Sequence, residues 1–289
     1  MLRLENVTKV FKTGTFGGAA VTAVSDVTFD IRPGEIVSLI GESGSGKTTV
    51  GRMILRLTNV TDGSITYDGQ DVSVLGRREL RGYYGRVQGV FQDPFSSYNP
   101  VFKIDRVFEM VRNTYLSGLT RAEWSTRRQR GLEDVGLEPA DVLGKYPHQL
   151  SGGQLQRLLI ARALILDIEF LVADEIISML DASTRIDVLN ILGDLKERGL
   201  GVLFVTHDLA LGNYISDRVV ILQRGRIVEM GPTPKVFANP VHPYTRMLLT
   251  CVPQLTAKWE STPQNGGLRA VPEELGTLQL IDDDHYVER

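Results

Sequence analysis

The hydrophobic positions of this chain follow two periodicities that alternate along the sequence. Compact apolar runs at 35–40, 170–173 and 202–205 have the length and composition of buried strands. Between them, apolar residues recur at intervals of three and four, as in 47–57 and 186–195, which indicates amphipathic helices. Strands that alternate with helices predict a mainly parallel sheet covered on both faces.

Four segments depart from this alternation. Residues 2–31 show short apolar alternations around the glycine-rich stretch 14–18, which predicts antiparallel strands and a loop. The stretch from about 94 to 167 is helical in character and too long for a loop, so we expect an inserted helical subdomain. A hairpin is expected over 218–230. The tail after Pro253 is polar, with glycines, prolines and a final acidic cluster, and we expect it to be loosely packed.

Composition narrows the class of protein. The 289 residues, 42% hydrophobic and 23% charged, suffice for one sizeable core or two lobes that share it. A net charge of −3 argues against a dedicated nucleic-acid binder. No apolar run approaches the ~20 residues that span a bilayer, and the first residues lack a signal-peptide pattern. Cys251 is the only cysteine, so no internal disulfide forms. We expect a cytosolic protein that acts on a membrane only through partners.

Residues 41–48 fit the P-loop pattern G-x-x-x-x-G-K-[ST] between a predicted strand and a predicted helix. Its glycines let the backbone approach phosphate oxygens closely, and the helix directs its positive dipole end to the same place. Lys47 is predicted to contact the β- and γ-phosphates, and the Thr48 hydroxyl to ligate Mg²⁺. The alternative is a Gly-Ser turn that merely caps a helix. The residues predicted to bind ATP here are Gly41, Ser43, Gly44, Ser45, Gly46, Lys47, Thr48 and Thr49.

The buried strand that ends at Asp174-Glu175 supplies the complementary chemistry. It delivers Asp174 to the carboxyl edge of the sheet, where α/β proteins bind ligands, and there it can ligate the metal. Glu175 can polarise a water in line with the γ-phosphate. An apolar run followed by Asp-Glu is common in proteins. It indicates a nucleotide site here only because the same chain also contains the P-loop.

A second anion-binding segment lies at 150–154, Leu-Ser-Gly-Gly-Gln, directly before the helical run 155–166. Backbone N–H groups are exposed at the start of such a helix. The segment resembles the signature sequence of the ABC ATPase family, and it lies upstream of Asp174 as in that family. In the family, two such domains pair head to tail around two ATP molecules. The residues that the resemblance places against the partner's ATP are Ser151, Gly152, Gly153, Gln154 and Asp181.

The resemblance implies an α/β fold with a P-loop NTPase (RecA-like) core and an N-terminal antiparallel β subdomain. An inserted α-helical subdomain and a short C-terminal extension complete it. The expected boundaries are 1–93 with 169–231 for the ATP-binding core, 94–168 for the helical subdomain that carries the signature, and 232–289 for the extension.

Further roles come from the same resemblance. Gln92 is similar to the glutamine that senses Mg²⁺ and links the core to the helical subdomain. Asp181 resembles the aspartate that contacts the opposing P-loop, and His207 the switch histidine that reaches the γ-phosphate. Phe11 is a candidate for the aromatic residue that stacks on adenine. Phe16, a tyrosine elsewhere, or plain core packing of Phe11 are the alternatives.

One departure from the family pattern follows the catalytic glutamate. Relatives normally have Pro-Thr there, whereas this chain has Ile176-Ile177. Because Glu175, Ser178 and Asp181 remain, we predict that hydrolysis survives. A regulatory or degenerate nucleotide-binding subunit is the alternative.

Segments 93–100 and 236–245 are similar to the oligopeptide/dipeptide importer branch of the family, which includes carriers of oligosaccharides such as cello-oligosaccharides. The implied partners are two transmembrane permease subunits, a second and different ATP-binding chain, and, indirectly, an extracytoplasmic solute-binding protein. The implied location is peripheral, at the cytoplasmic face of the cell membrane, with no nucleic acid bound.

The implied cofactors are ATP and Mg²⁺. An iron–sulfur cluster, present in some relatives, is not expected because Cys251 stands alone. Two other kinds of ABC protein are disfavoured. Soluble members that act in DNA repair or translation usually have two ATPase units or nucleic-acid-binding insertions, and exporters commonly fuse this domain to membrane helices.

Overall fold

The computed structural model describes residues 1–12, 20–250, 276–282 and 284–288. Its strands are β1 (Leu2–Lys12), β2 (Ala20–Ile31), β3 (Ile36–Ile40), β4 (Asp62–Tyr67), β5 (Gln70–Asp71), β6 (Val87–Val90), β7 (Phe170–Asp174), β8 (Gly201–Thr206), β9 (Arg218–Gln223), β10 (Arg226–Pro232), β11 (Leu278–Asp282) and β12 (His285–Glu288).

The α-helices are α1 (Lys47–Ile54), α2 (Arg77–Arg86), α3 (Asp105–Tyr115), α4 (Arg121–Glu133), α5 (Pro139–Val142), α6 (Gly152–Leu164), α7 (Ala182–Glu197), α8 (Leu209–Ile215), α9 (Thr233–Ala238) and α10 (Pro243–Thr250). Short 3₁₀ turns lie at Val72–Val74, Phe95–Ser97 and Pro147–Gln149. Among the residues described above, no helix is both long and apolar enough to cross a membrane.

The larger sheet has eight strands in the order β11-β12-β10-β9-β3-β8-β7-β6. The five strands from β9 to β6 run parallel. Every residue of β3, β7 and β8 is buried, as expected for parallel strands covered on both faces. The carboxyl ends of β3, β6, β7 and β8 therefore meet at one edge of the sheet.

The N-terminal part of the chain forms a separate antiparallel sheet in the order β2-β1-β4-β5. Its apolar face shares a hydrophobic core with α1 and with one face of the larger sheet, through residues such as Leu4, Met53, Phe170 and Leu203. The predicted antiparallel N-terminal subdomain beside a parallel core is confirmed.

From α3 to α6 the chain between β6 and β7 is helical. These helices and α7 cover the opposite face of the larger sheet. One continuous core holds Phe108 and Trp124 from the inserted helices, Leu155 from α6, Val188 from α7 and Phe204 from β8. The start of α6 is thereby packed onto the same framework that carries the P-loop.

The expectation of a loosely packed tail is wrong for residues 278–282 and 285–288. There β11 and β12 form a hairpin, and β12 pairs antiparallel with β10, with Val287 opposite Glu229. Strand alternation turns His285 and Val287 inward, where both are buried. The exposed edge of β10 offers unpaired backbone groups, which β12 satisfies. Pro253, where the predicted tail begins, lies outside the described residues.

Candidate nucleotide-binding site

The P-loop connects the end of β3 to the start of α1. Gly46 has φ of 107°, and a Cβ there would lie 2.6 Å from the carbonyl oxygen of Ala23, so only glycine fits. Lys47 Nζ is buried at the centre of the loop and donates to the carbonyl oxygens of Gly41 at 2.7 Å and Glu42 at 2.8 Å. An ammonium has three N–H groups, so one remains for a phosphate oxygen.

Two further features of the loop suit an anion. The Ser45 hydroxyl is buried without a hydrogen-bond partner among the described residues. The first N–H groups of α1 have no acceptor within the helix, and they face the loop. A phosphate group would satisfy both, so the residues present fit a nucleotide triphosphate.

Thr48 and Asp174 supply two oxygen ligands side by side. The Thr48 hydroxyl donates to Asp174 Oδ1 at 3.3 Å, although the residues are 126 positions apart. Burial raises the pKa of Asp174, and the hydrogen bond from Thr48 opposes that rise. Burial also lowers the pKa of Lys47, against the nearby carboxylates of Glu175 and Asp174. One carboxylate and one hydroxyl beside a phosphate site fit Mg²⁺, which prefers few protein ligands together with phosphate oxygens.

Glu175 and His207 meet because β7 and β8 are neighbours. Asp174 pairs with Val205, and the Glu175 N–H donates to the Val205 carbonyl at 3.0 Å. His207 follows β8 directly, and its Nδ1 lies 3.3 Å from Glu175 Oε1. The Glu175 side chain is 20% exposed and the imidazole 59%, so the pair opens to solvent on the histidine side. Glu175 itself has a left-handed φ of 50° at this turn.

Ile176 and Ile177 are both buried in the core under the helical layer. The turn that carries them is closed by Ser178, whose N–H and hydroxyl donate to the Glu175 carbonyl at 3.1 and 2.9 Å. Arg185 holds the far side of the turn through the carbonyls of Leu180 and Ser178. The two isoleucines therefore face the core and leave the Glu175 carboxylate free to reach His207.

The signature segment begins α6 as a capping box. Ser151 Oγ accepts from the Gln154 N–H at 3.1 Å, and Gln154 Oε1 accepts from the Ser151 N–H at 3.0 Å. At such a helix start the N–H groups of Gly152 and Gly153 point off the end of the helix.

The start of α7 lies beside the signature. A Cβ on Gly153 would lie 2.5 Å from Thr184 Cγ2, so the close approach of the two helices requires glycine. Asp181 caps α7 by accepting from the Thr184 N–H and hydroxyl and from the Ser183 hydroxyl. These hydrogen bonds, first that of Ser183, hold the pKa of Asp181 well below its usual range.

The remaining residues predicted for the site are Gln92, Ser43, Gly44, Thr49 and Phe11. Gln92 follows β6 by two residues and is exposed, as are Ser43 and Gly44. Thr49 lies in the first turn of α1. Phe11 is an exposed residue of β1, and Lys9 Nζ lies over its ring, 4.9 Å from the ring centre.

Two of the residues considered, Phe16 and Cys251, lie outside the described part of the chain.

Sequence reasoning missed two residues that hold the P-loop. The Gly225 N–H, in the turn between β9 and β10, donates to the Ser45 carbonyl at 2.8 Å. The Tyr244 hydroxyl accepts from the Glu42 N–H at 3.0 Å. The family-like segment at 236–245 pointed to the region of Tyr244, but no local pattern indicated the contact.

A buried parallel strand, a glycine-rich loop, a central lysine and an adjacent Thr–Asp pair define a P-loop nucleotide-binding protein. The model of the ABC transporter family matches residues 24–178. A second model, the C-terminal region of oligopeptide/dipeptide transporters, matches residues 228–277. The chain belongs to the ABC transporter ATP-binding family, in its oligopeptide/dipeptide branch, and is an ABC-type ATPase.

Similar curated proteins include a putative peptide import ATP-binding protein of Brucella ovis. It is 45% identical over 255 residues, which cover 88% of this chain and 78% of the relative. A glutathione import ATP-binding protein of Salmonella typhimurium is 40% identical over 280 residues, covering 93% of this chain and 44% of that longer protein.

Among solved structures, a dimeric ATP-binding cassette in a post-hydrolysis state with ADP and Pi has a TM-score of 0.72 and 30% identity. The match covers 81% of this chain and 99% of the chain in that structure. The predicted fold class, family and ATPase activity are confirmed by these relatives.

Proposed function

We propose that this chain is the ATP-hydrolysing subunit of a membrane importer and couples ATP binding and hydrolysis to uptake of oligopeptides or oligosaccharides. The observation that carries the proposal is the P-loop site, with Lys47 at its centre and Thr48 beside Asp174, on a chain whose C-terminal region matches oligopeptide/dipeptide transporters. Relatives named for peptide and glutathione import favour a peptide-like solute.

In this proposal the triphosphate lies in the P-loop. Lys47 contacts the β- and γ-phosphates, and the N–H groups of α1 and the Ser45 hydroxyl donate to phosphate oxygens. Thr48 and Asp174 hold Mg²⁺, with Gln92 reaching the same edge of the sheet. The ion supplies charge neutralisation at the β- and γ-oxygens when bound. Phe11 stacks on the adenine.

Hydrolysis uses the pair at the ends of β7 and β8. Glu175 accepts a proton from the attacking water, and His207 orients the carboxylate and reaches the γ-phosphate. The Ser178 contacts hold the backbone of Glu175, so the Ile176-Ile177 pair does not displace the base. These contacts favour an active ATPase over a degenerate subunit.

The second anion site completes the ATP site of another ATPase chain. Ser151 and the free N–H groups of Gly152 and Gly153 face the partner's γ-phosphate, with Asp181 next to them. The dimeric state of the similar solved cassette supports such pairing. We propose a partner chain different from this one. ATP drives closure only as far as it binds the closed pair more tightly than the open one.

Coupling to two permease subunits would pass through the segment after Gln92. Phe95, Val101 and Phe102 are exposed apolar residues there, as expected of a contact surface for a partner protein. The Tyr98 hydroxyl in the same segment donates to the Leu155 carbonyl at 3.1 Å, which connects this surface to α6. The chain would then sit peripherally at the cytoplasmic face of the membrane, with a solute-binding protein on the other side.

The test is co-purification from the native cell. The tagged full chain is captured from gently solubilised membranes, and its partners are identified by mass spectrometry. We expect two multi-spanning proteins and a second ATP-binding chain. Uptake of labelled dipeptides, and separately of cello-oligosaccharides, in a deletion strain then decides the solute class. Ribosomal or DNA-repair partners, or no membrane protein, would reject the importer.

A further inference from the structure

One residue of the P-loop, Glu42, is held at both ends of its backbone. Its N–H donates to the Tyr244 hydroxyl at 3.0 Å. Its carbonyl accepts from Lys47 Nζ at 2.8 Å and from the Ser45 N–H at 3.2 Å. The side chain of Glu42 is exposed, so the position of Glu42 in the loop is set by its backbone hydrogen bonds.

The Tyr244 ring is itself fixed. Tyr244 is 3% exposed and belongs to a small apolar cluster with Ile40, Leu209 and Val236. Ile40 is the last residue of β3, so the ring packs against the strand that leads into the P-loop. Packing of this kind confines a tyrosine hydroxyl to one position.

The segment leading to Tyr244 is tied to the sheet by a buried carboxylate. Glu229 on β10 accepts from the N–H groups of Val241 at 2.9 Å and His242 at 3.0 Å, and its Oε1 lies 2.8 Å from His285 Nε2 on β12. The Tyr244 N–H donates to His242 Nδ1 at 3.2 Å. The tyrosine is thus attached to a framework that does not include the P-loop.

We infer that Tyr244 is a positioning residue for the P-loop, through which the C-terminal extension sets the place of the Lys47 ammonium. The phenolic oxygen fixes the Glu42 N–H, which orients the Glu42 carbonyl on which Lys47 rests. Tyr244 acts through Glu42 and does not contact the nucleotide. The inference rests on the proposed role of Lys47 in holding the β- and γ-phosphates.

The test compares Tyr244→Phe with wild type in the complex purified from membranes. The phenylalanine keeps the ring packing and leaves the Glu42 N–H without an acceptor. The loss of one hydrogen bond should raise KM for MgATP about two- to tenfold. The value of kcat at saturating ATP should stay within about twofold of wild type, since Tyr244 touches neither Glu175 nor the attacking water.

Tyr83→Phe is the matched control. Tyr83 is also 3% exposed, and its hydroxyl donates to the Ile54 carbonyl at the end of α1, at 2.6 Å, instead of to the loop. It should leave KM unchanged although it removes a buried hydrogen bond. Hydrogen exchange on the full chain gives a direct readout, because the Glu42 amide should exchange faster in Tyr244→Phe alone.

An unchanged KM with unchanged Glu42 exchange in Tyr244→Phe would overturn the inference. So would an equal rise in KM in Tyr83→Phe, since the effect would then be general loosening of the fold. Lys47→Ala separates the two proposals. If that variant bound ATP as tightly as wild type, the proposed phosphate site would be wrong, whatever the result at Tyr244.

Discussion

Replacement of Glu175 by glutamine tests the proposed hydrolytic chemistry. Glutamine has nearly the shape of glutamate, and its amide oxygen can still accept a hydrogen bond from His207 Nδ1, which lies 3.3 Å from Glu175 Oε1. The backbone contacts of residue 175 to Val205 and Ser178 do not involve the side chain. The substitution therefore removes proton acceptance and one negative charge while it preserves the local geometry.

The expected loss follows from that geometry. A positioned general base contributes about 10²- to 10⁴-fold to a rate, or about 3–5.5 kcal/mol of the barrier. We expect kcat of Glu175→Gln to fall by that factor. Affinity for ATP should be equal to that of wild type or higher, because a negative charge beside the triphosphate disappears while Lys47 and Thr48 remain.

The assay is steady-state phosphate release by the complex from membranes, with MgATP binding to the full chain measured in parallel. His207→Ala is the companion variant. It removes one hydrogen bond to a charged group, worth about 1.5–3 kcal/mol, and should reduce kcat roughly 10- to 100-fold. Because His207 acts by orienting the Glu175 carboxylate, the double variant should be little worse than Glu175→Gln alone.

Two results would refute this assignment. A kcat of Glu175→Gln within about threefold of wild type would show that the carboxylate is not the base. Fully additive losses in the double variant would show that His207 does not act through Glu175.

Two further predictions concern stability. The raised pKa of Asp174 means that its contribution to folding is present below the unfolded-state pKa and lost as pH rises through the folded-state pKa. Asp174→Asn should therefore raise the thermal unfolding midpoint of the nucleotide-free chain at pH 7 but not at pH 3.5. The same variant should lose ATPase activity. A lower midpoint than wild type at pH 7 would contradict the stability prediction. Ile177→Ala should cost about 2–5 kcal/mol in urea unfolding because Ile177 is buried, whereas Ile186→Ala, on an exposed position, should cost less than about 1 kcal/mol; equal losses would show that the turn is not anchored in the core.

Local patterns accounted for much of the site. Three features could be predicted from the sequence: the P-loop, the buried strand that ends at Asp174, and the capped start of α6. Each depends on residues within about ten positions of one another. The Gly-Lys-Thr run, for example, needs only its own strand and helix to form an anion site.

Contacts between distant segments could not be deduced in this way. The tail hairpin was expected to be loose, yet β12 pairs with β10 and buries His285. In the sequence, Tyr244 belongs only to a segment that is similar to the importer branch, and its hydrogen bond to Glu42 joins positions 202 apart. Neither contact is indicated by a sequence pattern. Any exposed strand edge can pair with another strand, and any buried hydroxyl can form a hydrogen bond, so neither rule specifies the partner.

The sequence by itself determined that the chain binds nucleotide phosphates, because glycine φ values, helix dipoles and a lysine at fixed spacing are local properties. The motifs and the family resemblance had also named Asp174, Glu175 and His207, but only the tertiary structure decided which of these side chains contact one another. Strand order places β7 between β6 and β8, which brings His207 to Glu175, and sheet packing brings Thr48 to Asp174. Strand order depends on the burial of entire faces of the sheet. Residues from the whole core contribute to that burial, so no short sequence segment is enough to predict it.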